Sequence, residues 1–301
     1  MDKNFKSIAI YSSIRSKNRS KKVSQIALHI EEVIKGLGLK TLIPNSSNIH
    51  GLLSKRTYSD NFICKNADLI IAIGGDGTLL SSARKFGYEG VPVLGINLGN
   101  LGFLTDIAPK DLTTSLRDVI EGKFLKDERF FLEARINNQK KSNIALNEVV
   151  IHSNSIAQLI EYELFVSDHF VYRQKADGII VSSPTGSTAY SLSANGPIIH
   201  PDVKAITLLP MFPHSLNTRP LIIDENAEIQ IIIGKKGKAS LSLDSHTKFK
   251  LKSEDKVSIK RANSGFNLIH PLNHDFYSAC REKLGWSLGI PKKQSNVDIY
   301  S

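Results

Sequence analysis

Asp68-Leu-Ile-Ile-Ala-Ile-Gly-Gly-Asp-Gly-Thr78 reads as a strand, a glycine turn and the start of a helix. The apolar run stops abruptly at Gly74-Gly75-Asp76-Gly77, and Leu79, Leu80, Ala83 and Phe86 then recur at helical spacing up to Gly87. This arrangement places backbone N–H groups where a phosphate can sit. Glycine removes the side chain, so the main chain can approach a ligand closely and adopt φ > 0. Asp76 is the one ionisable group of the turn. A helix N-terminus favours its carboxylate, which can accept a hydrogen bond or a proton. A tight turn with a capping Asp has the same letters, so capping and catalysis both stay open on this stretch alone.

Working outward, Ser7 to Tyr11 reads as a short buried strand. Val23, Ile26, Ala27, Ile30, Ile34 and Leu37 follow helical spacing with Gly38 as the stop, and Leu39 to Ile43 reads as a second strand. Residues 44–66 lack clear periodicity and are expected to hold a short helix and loops. After the glycine turn, Val91 to Ile96 is another apolar strand running into Asn97-Leu-Gly-Asn-Leu-Gly-Phe103. Asp111 then caps an expected helix carrying Leu112, Leu116, Val119 and Ile120. Strands alternating with helices predict an α/β domain with a parallel, Rossmann-like sheet. Ligands in such sheets bind at the carboxyl ends of the strands, where both glycine loops fall.

The character changes near residue 123. Phe130 to Ile136 alternates as a strand, Asn137-Asn138 makes a turn, and Ile144 to His152 answers as one further strand. Two more strands are expected around an Asp168-His169 turn between Ser155 and Val171. Strand signals recur from Leu221 to Ile269, with turns at Gly234–Gly237 and Asn263-Ser-Gly265. A mostly β, sandwich-like second domain is therefore predicted. The expected division is 1–123, 124–270, and a segment 271–301, helical over Asp275 to Leu284, that packs back on the first domain.

At 301 residues, with 41% hydrophobic and 23% charged, the chain fits an ordinary two-domain globular protein. Cys64 and Cys280 give neither a disulfide framework nor a metal spacing. The start Met1-Asp-Lys-Asn-Phe-Lys6 is polar, and Ile8-Ala-Ile10 is too short for a signal peptide. A cytoplasmic protein with no membrane span is expected. The formal charge of +10 favours anionic partners. Arg15, Lys17, Arg19, Lys21 and Lys22 cluster, yet no aromatic-rich strand or zinc spacing accompanies them, so nucleic acid is not expected. Small phosphorylated substrates fit the same sign.

The most informative stretch is Ala176-Asp-Gly-Ile-Ile-Val-Ser-Ser-Pro-Thr-Gly-Ser-Thr-Ala-Tyr190, continuing to Pro201. A buried strand over Gly178–Val181 feeds a hydroxyl-rich turn and a short helix closed by Gly196. Ser183, Thr185, Ser187 and Thr188 offer uncharged donors and acceptors suited to sugar hydroxyls and amides. Asn147-Glu148 lies in a β run, where adjacent residues face opposite sides. Both can face one ligand only at a bulge or a strand end. Phe103 is either a base-stacking ring or core. Neither a GxSxG nucleophile elbow, an HExxH helix nor a Walker A lysine occurs.

Gly74-Gly-Asp-Gly-Thr78, Asn97-Leu-Gly-Asn-Leu-Gly-Phe-Leu-Thr-Asp106, Asn147-Glu148 and Pro184-Thr-Gly-Ser-Thr-Ala-Tyr190 occur in the order seen in NAD kinases. Together with Leu208-Leu-Pro-Met-Phe-Pro-His214 and Lys283-Leu-Gly-Trp286, nearly the whole chain resembles that family, the bacterial enzymes above all. The Gly-Gly-Asp-Gly motif alone is shared with phosphofructokinases and lipid kinases; the Pro184–Tyr190 block is far more specific. The resemblance implies transfer of the ATP γ-phosphoryl group to the adenosine 2′-hydroxyl of NAD, with Mg²⁺. Asp76 would orient and deprotonate that hydroxyl. Gly75, Gly77 and Thr78 would hold phosphates, and Phe103 would line the nucleotide site. Asn147 and Glu148 would bind ribose hydroxyls and the neighbouring base, although many relatives carry Asp at the second position. Thr188, Ala189 and Tyr190 would pack around the dinucleotide, with Thr185, Ser193 and His214 as further binding residues. Lys175, often Arg in relatives, implies a preference for NAD over NADH, and His246 stands where Gln is common. Asp177 would reach a neighbour's pocket in a homo-oligomer, a dimer or tetramer with a shared active site. Another kinase of the broader superfamily gives no reason for the Pro184–Tyr190 block, and a non-catalytic dinucleotide binder gives none for Asp76.

Overall fold

The structure, a computed structural model, describes residues 5–286 apart from 52–55, 100–101, 106, 138, 140–141, 155–157, 216 and 236–237. Asn100, Leu101 and Asp106 of the second glycine loop, Asn138 of the first hairpin turn and Gly237 therefore lie outside the described residues, as does 287–301 of the last expected segment.

The chain opens with β1 (Ser7–Tyr11), α1 (Lys17–Gly36), β2 (Lys40–Leu42), α2 (Asp60–Asn66) and β3 (Leu69–Gly74). It continues with α3 (Asp76–Ser82), one π-helical turn at Ala83–Gly87, β4 (Val93–Asn97) and α4 (Leu112–Ile120). The strands lie side by side as β2-β1-β3-β4, all parallel. Their near-continuous apolar runs are what a sheet covered on both faces requires. Ile26, Ile30, Ile34, Leu116 and Val119 of the helices cover one face. Ile63, Leu79, Leu80 and Phe86 cover the other. Gly38, at φ 70, takes the left-handed conformation that ends α1. Asp111 stands at the start of α4, but its side chain makes no capping bond; a 3₁₀ turn over Pro109–Asp111 leads into the helix instead.

The second half holds β5 (Phe124–Ile136), β6 (Asn143–Ala145), β7 (Glu148–Ser153), β8 (Ile160–Val166), β9 (His169–Ala176) and β10 (Gly178–Ser182). A short helix α5 (Tyr190–Ser193) precedes β11 (Ala205–Met211), β12 (Leu221–Asp224), β13 (Ile229–Ile233), β14 (Ala239–Leu243) and β15 (Thr247–Leu251). β16 (Lys256–Pro271) and α6 (Phe276–Leu284) follow. Six strands form an antiparallel sheet in the order β12-β11-β10-β7-β14-β15. It faces the antiparallel strands β5, β8, β13 and β16 across a core that includes Leu132, Ile151, Val181, Ile231, Leu241 and Val257. This is the predicted two-domain plan, α/β followed by a mostly β sandwich.

Three elements differ from the sequence reading. The stretch read as one strand over 144–152 breaks at Leu146-Asn147: β6 pairs with β5, whereas β7 belongs to the other sheet. Asn263-Ser-Gly265 is no turn but a bulge within the unbroken β16, where pairing with β5 shifts register between Arg261 and Gly265. A Cβ at Gly265 would lie 2.7 Å from the Arg129 carbonyl, so only glycine lets the strands close up there. Patterning does not predict β11, which carries Pro210 opposite Ile179. Proline in a central strand ordinarily argues against strand. Finally, β16 crosses between the halves: Leu268 and Ile269 pair in parallel with Val93 and Leu94 of β4.

Candidate active site

Asp76 is the first residue of α3, and Gly75 before it is extended. The Asp76 carboxylate accepts from the Phe103 N–H at 3.1 Å, the Leu104 N–H at 3.2 Å and the Thr105 hydroxyl at 3.2 Å. The second glycine loop is thus wound onto this one carboxylate. The approach requires Gly102, since a Cβ there would stand 2.1 Å from Asp76 Oδ1. Asn97 braces the loop from below, donating to Thr105 Oγ1 at 3.0 Å and accepting from the Gly99 N–H at 2.8 Å. Around Asp76, a Cβ at Gly75, Gly77 or Gly99 would meet only open space. Bare backbone facing an open cleft at strand carboxyl ends is where phosphate oxygens can be received. Thr78 is instead buried, its hydroxyl 3.1 Å from Ser13 Oγ, so its side chain braces the turn. Phe103 is half-buried at the rim.

Asn147 and Glu148 occupy the break between β6 and β7, a strand end of the kind the sequence reading required. Asp244, which follows β14, makes the break: its buried carboxylate accepts from the N–H groups of Leu146, Asn147 and Glu148 at 2.9, 2.8 and 3.3 Å. Arg84, in the π-turn after α3, donates to Asp244 Oδ2 at 2.6 Å. Asn147 Oδ1 and Glu148 Oε2 are buried without a hydrogen-bond partner. Burial, then the charge of Asp244, pushes the Glu148 carboxyl up to about 8, against a weaker opposing hydrogen bond from the Tyr190 N–H. Glu148 is therefore neutral at pH 7 and carries a proton it can donate.

The hydroxyl-rich turn locks onto the same spot. Ser183 donates its N–H to the Asn147 carbonyl at 2.9 Å and its hydroxyl to the Leu146 carbonyl at 2.6 Å. A Cβ on Gly186 would lie 2.2 Å from the Asn147 carbonyl, so this glycine too is fixed by close approach. Ser187 bonds Pro184 and Ile199, and the Thr188 hydroxyl returns to the Thr185 carbonyl. Much of the hydroxyl density is thus structural. Thr185 accepts from buried Arg129 at 3.1 Å. Arg129 in turn pairs with Asp127, whose carboxyl is raised by burial but brought down to about 2 by His270 and Arg129.

Ala189 is half-buried, and Tyr190 and Ser193 are exposed on the outer side of the turn. Asp177 lines a cavity of about 490 Å³ with Tyr190, Met211 and Ser242. Lys175 and His214 lie one step away, joined backbone to backbone at 2.9 Å, and the Lys175 ammonium is 3.8 Å from Glu161. The structure therefore joins Asp76 to Phe103, and Asn147 to Glu148 and the Pro184–Tyr190 turn. Lys175 and His214 are instead joined to each other, beside Glu161. Sequence reasoning missed Arg84, Arg129 and Asp244 as site-building residues, since nothing local marks their distant partners.

Comparison with known proteins covers both halves. Residues 9–124 match the ATP-NAD kinase N-terminal domain family and residues 146–271 the ATP-NAD kinase C-terminal domain family. An NAD kinase from Teredinibacter turnerae is 44% identical over 230 residues, 75% of this chain and 78% of its own. One from Marinobacter nauticus is 42% identical over 255 residues, 83% and 84% of the two chains. A crystal structure of yeast NADH kinase complexed with NADH superposes with a TM-score of 0.82 at 25% identity, covering 98% of this chain and 91% of that one. An NAD kinase from Archaeoglobus fulgidus in complex with ATP shares the fold, with a TM-score of 0.69 at 24% identity over 90% and 96% of the chains. Matched in both halves, and more than two-fifths identical to bacterial enzymes over most of its length, the chain belongs to the NAD kinase family.

Proposed function

We propose that Asp76 is the general base of this ATP-dependent NAD kinase. The enzyme transfers the γ-phosphoryl group of ATP to the adenosine 2′-hydroxyl of NAD, giving NADP and ADP. The observation that carries the assignment is the Asp76 carboxylate, fixed by three donors of the second glycine loop between glycines that face open space. Phosphoryl transfer asks mainly for positioning and charge neutralisation, so one oriented carboxylate is chemically sufficient protein machinery. It takes the hydroxyl proton as the oxygen attacks phosphorus, while ADP leaves with the bond electrons. Mg²⁺, held mainly by the phosphates of ATP, would offset phosphate charge when bound. The described residues contain no cluster of three or more metal-ligating His, Cys, Asp or Glu, and a lone carboxylate beside phosphates is the usual protein share in holding that ion.

On the NAD side, Gly75, Gly77 and Thr78 form the phosphate turn and Phe103 lines its rim. Asn147 and neutral Glu148 supply an acceptor and a donor to ribose hydroxyls and the base, and their unpartnered buried oxygens support this. Thr185, Thr188, Ala189, Tyr190 and Ser193 shape the dinucleotide wall, with Lys175 and His214 toward its far end. Residues 1–123 serve as the catalytic-loop domain and 124–270 as the dinucleotide and oligomer domain; of the last segment, Pro271 to Asn273 share a surface hollow with α4, while Phe276 and Tyr277 of α6 lie against His200 of the second domain. Two cysteines without a disulfide fit a cytoplasmic enzyme, and no helix among the described residues is long and apolar enough to cross a membrane.

The active site is shared in a homo-oligomer, with Asp177 reaching the neighbour's pocket. In support, Asp177 is only half-buried and opens on the cavity beside Tyr190. Incubating the protein with ATP, Mg²⁺ and NAD and measuring NADP tests the activity. Mixing Asp76→Asn with Asp177→Ala subunits tests the sharing. Random exchange in two-fold pairs restores roughly a quarter of wild-type sites. Subunits that demonstrably exchange without regaining activity would rule the shared site out.

A further inference from the structure

We propose that Arg84 and Asp244 form a positioning clamp that fixes the Asn147–Glu148 turn relative to the helix bearing Asp76. This inference rests on the NAD kinase reading. The catalytic carboxylate begins α3, and the π-turn that continues α3 carries Arg84. The dinucleotide-side turn belongs to the other domain, so something must set the distance between them. Apolar packing does part of this, because Leu146 shares one buried cluster with Leu79, Leu80 and Phe86. Packing of that kind resists separation but tolerates small sliding. The Arg84–Asp244 pair adds direction.

Its geometry is that of a tie bar. The Asp244 side chain has no exposed surface, and that of Arg84 is 17% exposed. One carboxylate oxygen takes the guanidinium and the Leu146 N–H; the other takes the N–H groups of Asn147 and Glu148. The Asp244 N–H also donates to the Glu148 carbonyl at 3.1 Å. Asp244 holds φ 45, a left-handed conformation in which Asp is among the better tolerated residues. The partners are separated by 96 to 160 positions along the chain. A buried ion pair is weak evidence for stability, because desolvation offsets its attraction. Specific orientation is the better explanation here. A misplacement of about 1 Å at a reacting centre can cost roughly 100-fold in rate.

The experiment uses the full-length enzyme at a temperature where circular dichroism shows each variant folded. Arg84→Met and Asp244→Asn are each expected to lower kcat with NAD by roughly 10- to 100-fold while KM for ATP moves less than about threefold. Arg84→Lys, which keeps the charge pair, should retain most of kcat. The double variant should lose little more than the worse single one, as two halves of one clamp require. If wild type makes no NADP, the enzymatic reading falls and takes the clamp with it. If wild type is active and folded Arg84→Met keeps its kcat within twofold, the clamp alone is wrong. A rise in KM for ATP of about tenfold or more, or additive losses in the double variant, also overturns it. Should Asp244→Asn not fold, Arg84→Met and Arg84→Lys decide by the same criteria.

Discussion

Asp76 and Glu148 are both acids at the end of a strand or the start of the next element, and the protein treats them in opposite ways. Asp76 is half-exposed, ringed by open glycines, and its oxygens accept three hydrogen bonds. Glu148 is 3% exposed, one of its oxygens has no partner, and the charged neighbour Asp244 discourages ionisation. Under the proposed mechanism the two carboxyl groups take different chemistry: one oriented to receive a proton, one kept neutral so that it can offer one. The surroundings, more than the side-chain type, assign the roles. Relatives that carry Asp in place of Glu148 would keep the acid while changing its reach.

The comparison breaks most visibly at Asp76. Asp76→Asn should fold and bind NAD, yet lose ~10²–10⁴-fold in kcat, the usual contribution of a general base. Near-normal turnover would remove Asp76 from that role. Next comes the support of the same carboxylate. Gly102→Ala puts a methyl group 2.1 Å from Asp76 Oδ1, and the displaced carboxylate should cost on the order of 100-fold in kcat. Gly75→Ala is the control, since its methyl meets open space and should leave stability unchanged. Equal Tm losses in both variants would mean that the two glycines are not distinguished by packing.

Glu148 sharpens the other side. Above the ordinary carboxyl range the unfolded chain has lost this proton, while the folded chain keeps it to about 8. The folded state then binds more protons, so stability falls as pH rises through this window. Between pH 5.5 and 7 the Glu148 contribution should fall by about 2 kcal/mol, and Glu148→Gln should remove that part of the slope in urea titrations. An unchanged slope would show Glu148 ionised in the folded state. The smallest effect concerns Lys175, whose ammonium lies beside Glu161. NAD is expected to be favoured over NADH by ~10-fold in kcat/KM, the scale of one modest contact. Comparable values for the two dinucleotides would undo it.

The strand–turn–helix at Asp76 was legible because period and glycine punctuation agree over a short stretch. The role of Asn147-Glu148 was legible only as a condition, a strand end or bulge, since alternation continues smoothly while the chain changes sheets between Ala145 and Glu148. Gly265 reads as a turn residue because letters do not distinguish a turn from a bulge inside a long strand. Pro210 hides β11 in the same way. Asp244 and Arg129 were illegible for a different reason. Their importance lies in what they touch, and those contacts are 96 and 56 positions away, respectively, at Glu148 and Thr185.

One strand also has a consequence for how the chain is made. β4 has β3 on one side; on the other, Ile107 bridges Ile96, and only Val93 and Leu94 pair with the end of β16. During synthesis Ile107 follows Asn97 closely, whereas Leu268, the partner of Val93, arrives only after a long interval. At bacterial-scale elongation of about 5–20 residues per second, the gap is roughly 10–30 s. Throughout it, the Val93–Leu94 part of β4 lacks its second partner, a short unpaired edge of the kind that invites unwanted pairing. A ribosome that stalls before β16 therefore releases a fragment carrying the glycine turn and a sticky edge.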